Sequence, residues 1–182
     1  IITIVFLTYL NSRGVKDSKT LQTVLTIIKI LSLFGLIVFG FILAAKAEVW
    51  DVNWTDVWET KSYNLDTKQW TPIAGTALLA GISAAMVGSL FSSDAWNGVT
   101  FIAAELKNPK RNVGLSLFLG TFIVTIIYVL TNLMYLAVIP LEEIATAKSD
   151  RVAVVASQYT LGEYGTVIIA GMVMISTFAC NN

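Results

Sequence analysis

Histidine is absent from the 182 residues, and cysteine occurs once, as Cys180. Within this chain that excludes a disulfide framework, a zinc site and an imidazole-based catalytic centre. Charge is scarce too: 12 Lys and Arg balance 12 Asp and Glu, together 13% of the residues, for a net charge of zero. No basic block suits nucleic acid. What fills the space is apolar: 55% of residues are hydrophobic and the mean hydropathy is +0.72. Those values belong to integral membrane proteins, with the lipid bilayer as first partner. The first residue is Ile1, inside the apolar run IITIVFLTYL, and the last apolar run reaches Cys180, two residues from the end. We expect an internal piece of a longer chain, in which no signal peptide can be sought.

Apolar segments set the expected organisation. A short stub, 1–10, precedes spans at 21–45, 73–104, 113–140 and 165–180, the last extended upstream by apolar turns from residue 152. A hydrocarbon core of roughly 30 Å needs about 20 helical residues, so 21–45 and 113–140 cross with tilt. Backbone groups find no water in lipid, and no alternating barrel pattern is present, so the fold class is all-α. Asn108-Pro109 closes the third segment and Pro140 the fourth, because the residue before proline is pushed out of helical geometry. The connections after the stub and after the third segment hold six basic residues against Asp17 and Glu105; the other two hold five against nine acidic ones. The basic connections are then cytoplasmic, and the chain alternates regularly across the membrane.

The outer connection, 47–70, carries Trp50, Trp54, Trp58 and Trp70. Spaced every four residues, the first three share one face of a helix, which we expect to lie at the membrane–water boundary that indole favours. A carbohydrate or ligand platform is the alternative. Asn53-Trp54-Thr55 fits the glycosylation sequon, a pattern often met by chance.

Two charges lie deep inside spans. Asp94 is the one charge between residues 73 and 104, within Phe91-Ser92-Ser93-Asp94-Ala95-Trp96-Asn97-Gly98. At that depth an ionised group costs roughly 2.5–3.5 kcal/mol, so it marks a substrate or ion pathway unless a neighbouring helix merely satisfies it. Serines and Asp compete for backbone hydrogen bonds, and the small-residue ladder Ala77, Gly81, Ala85, Ser89, Ser93 leads into them. We expect the helix to break between Phe91 and Gly98 around a cavity, as discontinuous helices do in secondary transporters. Lys29 is the second charge, about 12 Å inside the cytoplasmic boundary if Leu21 sits there. Its stem could snorkel toward that boundary. Placed instead among helices, it stabilises them electrostatically and can exchange a proton.

The run Phe91 to Asn97, followed by Ala104-Glu105-Leu106-Lys107-Asn108-Pro109, resembles the sixth span and inner loop of the amino acid–polyamine–organocation superfamily. The nearest branch is the L-type amino acid transporters and their bacterial relatives. Thr26-Ile27-Ile28-Lys29 is similar to that family's fifth span and Ile175-Ser176-Thr177-Phe178 to its eighth, so the likeness runs from the end of span four to span eight. The resemblance implies a five-plus-five inverted-repeat fold with a discontinuous sixth span, an amino acid substrate and no cofactor. It implies that Phe91 is the aromatic gate, that Ser92, Ser93, Asp94 and Ala95 form the unwound stretch beside the substrate, and that Trp96 and Asn97 start the inner half-helix. Lys29 then stands where sodium-dependent relatives bind a cation, with Ser176 and Thr177 nearby. Sodium-independent exchange or proton-coupled uptake follows. A sodium-coupled symporter and a non-transporting interaction subunit are the alternatives. An intramembrane enzyme would want a histidine, a metal constellation or a carboxylate pair, and the interior has one acid and one lysine. An accessory subunit and a homo-oligomer both stay open.

Overall fold

The computed structural model describes residues 8–9, 15–92, 98–101, 103, 106 and 108–180. In chain order the elements are α1 (Val15–Phe39), α2 (Ala47–Trp54), β1 (Lys61–Asn64), β2 (Gln69–Pro72), α3 (Thr76–Ser92), α4 (Gly98–Phe101), α5 (Pro109–Val138), α6 (Leu141–Ala145), α7 (Val152–Leu161) and α8 (Tyr164–Cys180). They fall into two units, Ile1–Asn53 with Leu130–Asn182, and Trp54–Val129, each described by itself. Helices dominate, as expected. Two are long and apolar enough to cross a bilayer by length and composition: Lys19–Ala44, which is α1 with the turn that follows it, and Pro109–Val138.

The first unit holds the core. Leu36, Ala44, Met134, Val138, Ile139, Ala156 and Ile169 pack together from α1, the end of α5, α7 and α8. α1 does not stop cleanly: residues Gly40–Ala44 widen into a π turn, with the Ala45 amide bonded to the Gly40 carbonyl at 2.9 Å. A Cβ on Gly40 would lie 2.6 Å from Cγ of the fully buried Met134, so only glycine lets this turn press on α5. Gly165 does the same at the α7–α8 joint, where a Cβ would run into the Ser157 carbonyl oxygen.

Asn53 closes the break that Pro140 makes. Pro140 has no N–H to give the carbonyl of Leu136, four residues earlier. The Asn53 side-chain amide supplies that donor, reaching Leu136 O and Ile139 O, each at 2.8 Å. Its Oδ1 accepts from the Leu141 amide at 3.0 Å, while the Lys46 amide bonds to Ala137 O at 3.1 Å. Asn53 is 6% exposed, and both its amide protons are engaged. The sequon therefore presents no free amide in the folded chain; the residue is a tie between α2 and the end of α5.

The second unit corrects the reading of the outer connection. The helix that was expected to carry Trp50, Trp54 and Trp58 on one face ends at Trp54. Asp56 takes φ 56°, which a right-handed helix cannot contain, and Trp58 stands in the following turn, 94% exposed. A hairpin follows in place of further helix, with Lys61 opposite Pro72 and Tyr63 opposite Trp70. Asn64 shapes its tip by accepting from the Asp66 and Thr67 amides at 2.9 and 3.2 Å. The Tyr63 and Trp70 rings meet edge-on at 5.0 Å. Lys61 bonds to Glu59 at 2.6 Å, which holds its ammonium above the ordinary 10.5.

Pro109 proves to be the first residue of α5, where its missing N–H is harmless. Asn108, at φ 53°, turns the chain into that helix and its carbonyl caps the Arg111 and Asn112 amides, both at 3.1 Å. Along α3, the small residues Ala77, Gly81, Ala85 and Ser89 are exposed among the described residues, as are Leu79, Met86 and Leu90. Apolar surface of that extent suits lipid or other spans.

Candidate functional site

The expected site residues fall into two groups, one in each unit. In the second unit, α3 ends at Ser92, with Phe91 79% exposed at its last turn, and α4 resumes at Gly98. Ser93, Asp94, Ala95, Trp96 and Asn97 lie outside the described residues, and with them the expected break and its carboxylate. The flanking elements are the two helical segments between which the unwound stretch was expected.

In the first unit, α1 packs on α8, and Lys29 is half-buried at that joint. Its partner there differs from the expected one. Nζ donates to Sγ of Cys180 at 3.6 Å, whereas the Thr177 hydroxyl donates to Val173 O of its own helix at 2.9 Å. Ser176, half-buried, lies one helical turn before Cys180. Among the described residues, Lys29 forms no ion pair. An ammonium at a helix joint, met by a thiol and, among the described residues, by no carboxylate, sits where it touches α1 and α8 together. Cys180 is the residue that sequence reasoning missed. The signal was available: it lies four residues after Ser176 and three after Thr177, spacings that put all three on one side of a helix.

Between α1, α7 and α8 lies a cavity of about 300 Å³. Its lining is aliphatic and aromatic apart from Ser32 and Ser157, and Ser157 already donates to Val154 O at 2.7 Å. An amino acid zwitterion needs charged or polar partners on both its ends. This cavity offers the Ser32 and Ser157 hydroxyls but no charged group, and it includes none of the residues expected at the substrate. Between α6 and α7, the Tyr159 hydroxyl donates to the Glu143 carboxylate, 2.8 and 2.9 Å from its oxygens. That bond, with burial and the carboxylate's charge behind it, holds the Tyr159 hydroxyl above its ordinary 10.0. Among the described residues no group of histidine, cysteine and carboxylates is placed to hold a metal.

Two helices long and apolar enough to cross a bilayer, by length and composition, are what an integral membrane protein of the helical kind requires. The chain belongs to the amino acid permease family, whose model matches residues 1–182, and with that family to the amino acid–polyamine–organocation superfamily. It is 29% identical over 147 residues to the human b(0,+)-type amino acid transporter 1, covering 80% of this chain and 27% of that protein. To the serine/threonine exchanger SteT of Bacillus subtilis it is 26% identical over 182 residues, all of this chain and 36% of the other. The mouse Asc-type amino acid transporter 1 is 27% identical over 176 residues, 96% of this chain and 30% of its own length. The chain thus spans about a third of the length of these relatives.

Proposed function

We propose that this chain is the central part of a multi-pass carrier in the cell membrane that moves amino acids by sodium-independent exchange or with protons. The observation that carries this reading is the family match along every residue of the chain, to which relatives named as amino acid transporters and as an exchanger lend support. In this reading the fold is five-plus-five, and α3 and α4 are the two halves of a discontinuous sixth span. Phe91 gates the substrate, Ser92 to Ala95 offer carbonyls, amides and the Asp94 carboxylate to its amino group, and Trp96 and Asn97 open the inner half-helix.

Lys29 selects the coupling mode. A bound sodium ion would hold α1 and α8 together through oxygen ligands. An ammonium fixed to the same helices performs that task with its own charge and repels a second cation there. The lysine's contact with α8 and its lack of an ion pair among the described residues support this. Ser176 and Thr177 flank the cation along α8 and, in this reading, complete its polar surroundings. No nucleic acid takes part. An accessory subunit or a second copy is not needed by the scheme.

The test is reconstitution of the full-length protein in liposomes preloaded with labelled amino acids. External amino acids are added one at a time, with and without sodium and with and without a proton gradient. Release driven by external substrate without sodium supports the reading, and a proton gradient separates coupled uptake from plain exchange. Strict dependence on sodium returns the chain to the symporter class. Failure of every amino acid to drive release or uptake leaves the interaction subunit.

A further inference from the structure

We infer that Cys180 is the positioning residue for Lys29, setting where the cation rests between α1 and α8. The inference depends on the coupling role proposed for Lys29 above. Three observations carry it. The thiol is the group that meets Nζ, at 3.6 Å. The Thr177 hydroxyl, on the same side of α8, gives its own proton to Val173 O at 2.9 Å. No carboxylate pairs with the lysine among the described residues.

An ammonium carries three donors and needs acceptors when water is scarce. A carboxylate at this place would neutralise the charge and hold it in a strong, charge-assisted pair. Sulfur is a weak, polarisable acceptor that orients the ammonium and leaves its charge intact. A weak bond of this kind breaks when α1 and α8 move apart by an ångström or so and re-forms when they return, within roughly the reach over which hydrogen bonds fade. Cys180 never touches substrate in this scheme; it acts through Lys29. Its place one turn beyond Ser176 sets the depth at which the cation sits.

The experiment uses the full-length transporter in proteoliposomes, with turnover normalised to folded protein and the external KM measured beside it. The substrate is whichever amino acid drives release in the wild type. Cys180→Ala is expected to lower turnover about fivefold, less than the tenfold a full charge-assisted bond would give because sulfur accepts weakly, with KM within about twofold of the wild type. Cys180→Ser should restore turnover to within about threefold, since a hydroxyl also accepts from an ammonium. Cys180→Val, close in size but without an acceptor, repeats the test where alanine yields too little folded protein. Equal losses in the serine and valine variants, or losses confined to the amount of folded protein, would mean a packing role and overturn the inference. Lys29→Ala separates the two levels. If that variant transports normally, the coupling role of Lys29 falls; if it is inactive while Cys180→Ala matches the wild type, only the role of Cys180 falls.

Discussion

Replacing Asn53 with alanine removes three hydrogen bonds at once, and each leaves a backbone group at the Pro140 break without a partner. The Ile139 carbonyl is buried, while the Leu136 carbonyl and the Leu141 amide are partly so. A buried polar group left unpaired costs about 1–3 kcal/mol, and partial access of water to two of them keeps the total near the low end, about 2–4 kcal/mol. In the larger full-length protein that corresponds to a lowered midpoint, by less per kcal/mol than the roughly 2–4 °C of a 150–250-residue domain. The assay is thermal unfolding of the full-length protein in detergent, read as the loss of monodisperse material. A second variant makes the reasoning sharp. Pro140→Ala returns an N–H at position 140, and that amide can bond to Leu136 O without Asn53. The double variant should then be less destabilised than the two single losses together, with a coupling of about 1 kcal/mol. Strict additivity, or an Asn53→Ala change within about 0.5 kcal/mol of the wild type, would refute the account of Asn53 as the replacement for the proline's missing donor.

Gly165→Ala drives a methyl group into the Ser157 carbonyl, which cannot move without shifting α7; a loss of about 2–3 kcal/mol in the same unfolding assay is expected, and a neutral result would show that α7 and α8 part easily. Tyr159→Phe removes the bond to Glu143. Because the folded chain holds the tyrosine proton more tightly than the unfolded one, this bond stabilises at pH below about 10 and is lost as pH rises through the higher folded value. The variant should be less stable than wild type by under about 1 kcal/mol near neutrality, an exposed and solvent-screened contribution, with the two curves converging in alkali. Asp94→Asn should raise KM most for lysine- or arginine-like substrates, a charge-assisted bond being roughly twice as strong as a neutral one. Equal loss for neutral and cationic substrates would confine Asp94 to the amino group, and unchanged transport would return it to packing.

The two long helices were legible because a segment made for lipid obeys one rule throughout: α1 and α5 stand out by length and apolarity alone. Their ends were less so. The π turn at Gly40–Ala44 depends on how closely α1 can approach Met134, a tertiary fact with no local signature. The helix through Trp58 was drawn from spacing, and the positive φ at Asp56 overrode it. A hairpin of four-residue strands with alternating Ser, Tyr and Asn, turned by Asn64, was readable in principle from Tyr63, Trp70 and Thr71, but the tryptophan periodicity competed with it. At the site, the lysine was found from its cost in the membrane, which is a property of one residue. Its partner was not, because thiol and hydroxyls on one side of α8 are equivalent until the helices are packed. Asn53 shows the same limit: as a sequence it matches a modification motif, and only the fold shows its amide engaged elsewhere.

The Asn53 tie also carries a clock. Its partners lie 83 to 88 residues further along the chain. At roughly 5–20 residues per second of synthesis, α2 waits on the order of 4–17 s after Asn53 is made before Leu136 and Leu141 exist to receive it. Through that interval α1, α2, the hairpin and α3 are made with this joint unfastened, and it can close only once the end of α5 has emerged. Assembly of the first unit is thus ordered from its far end backwards, with the later helix completing the earlier one.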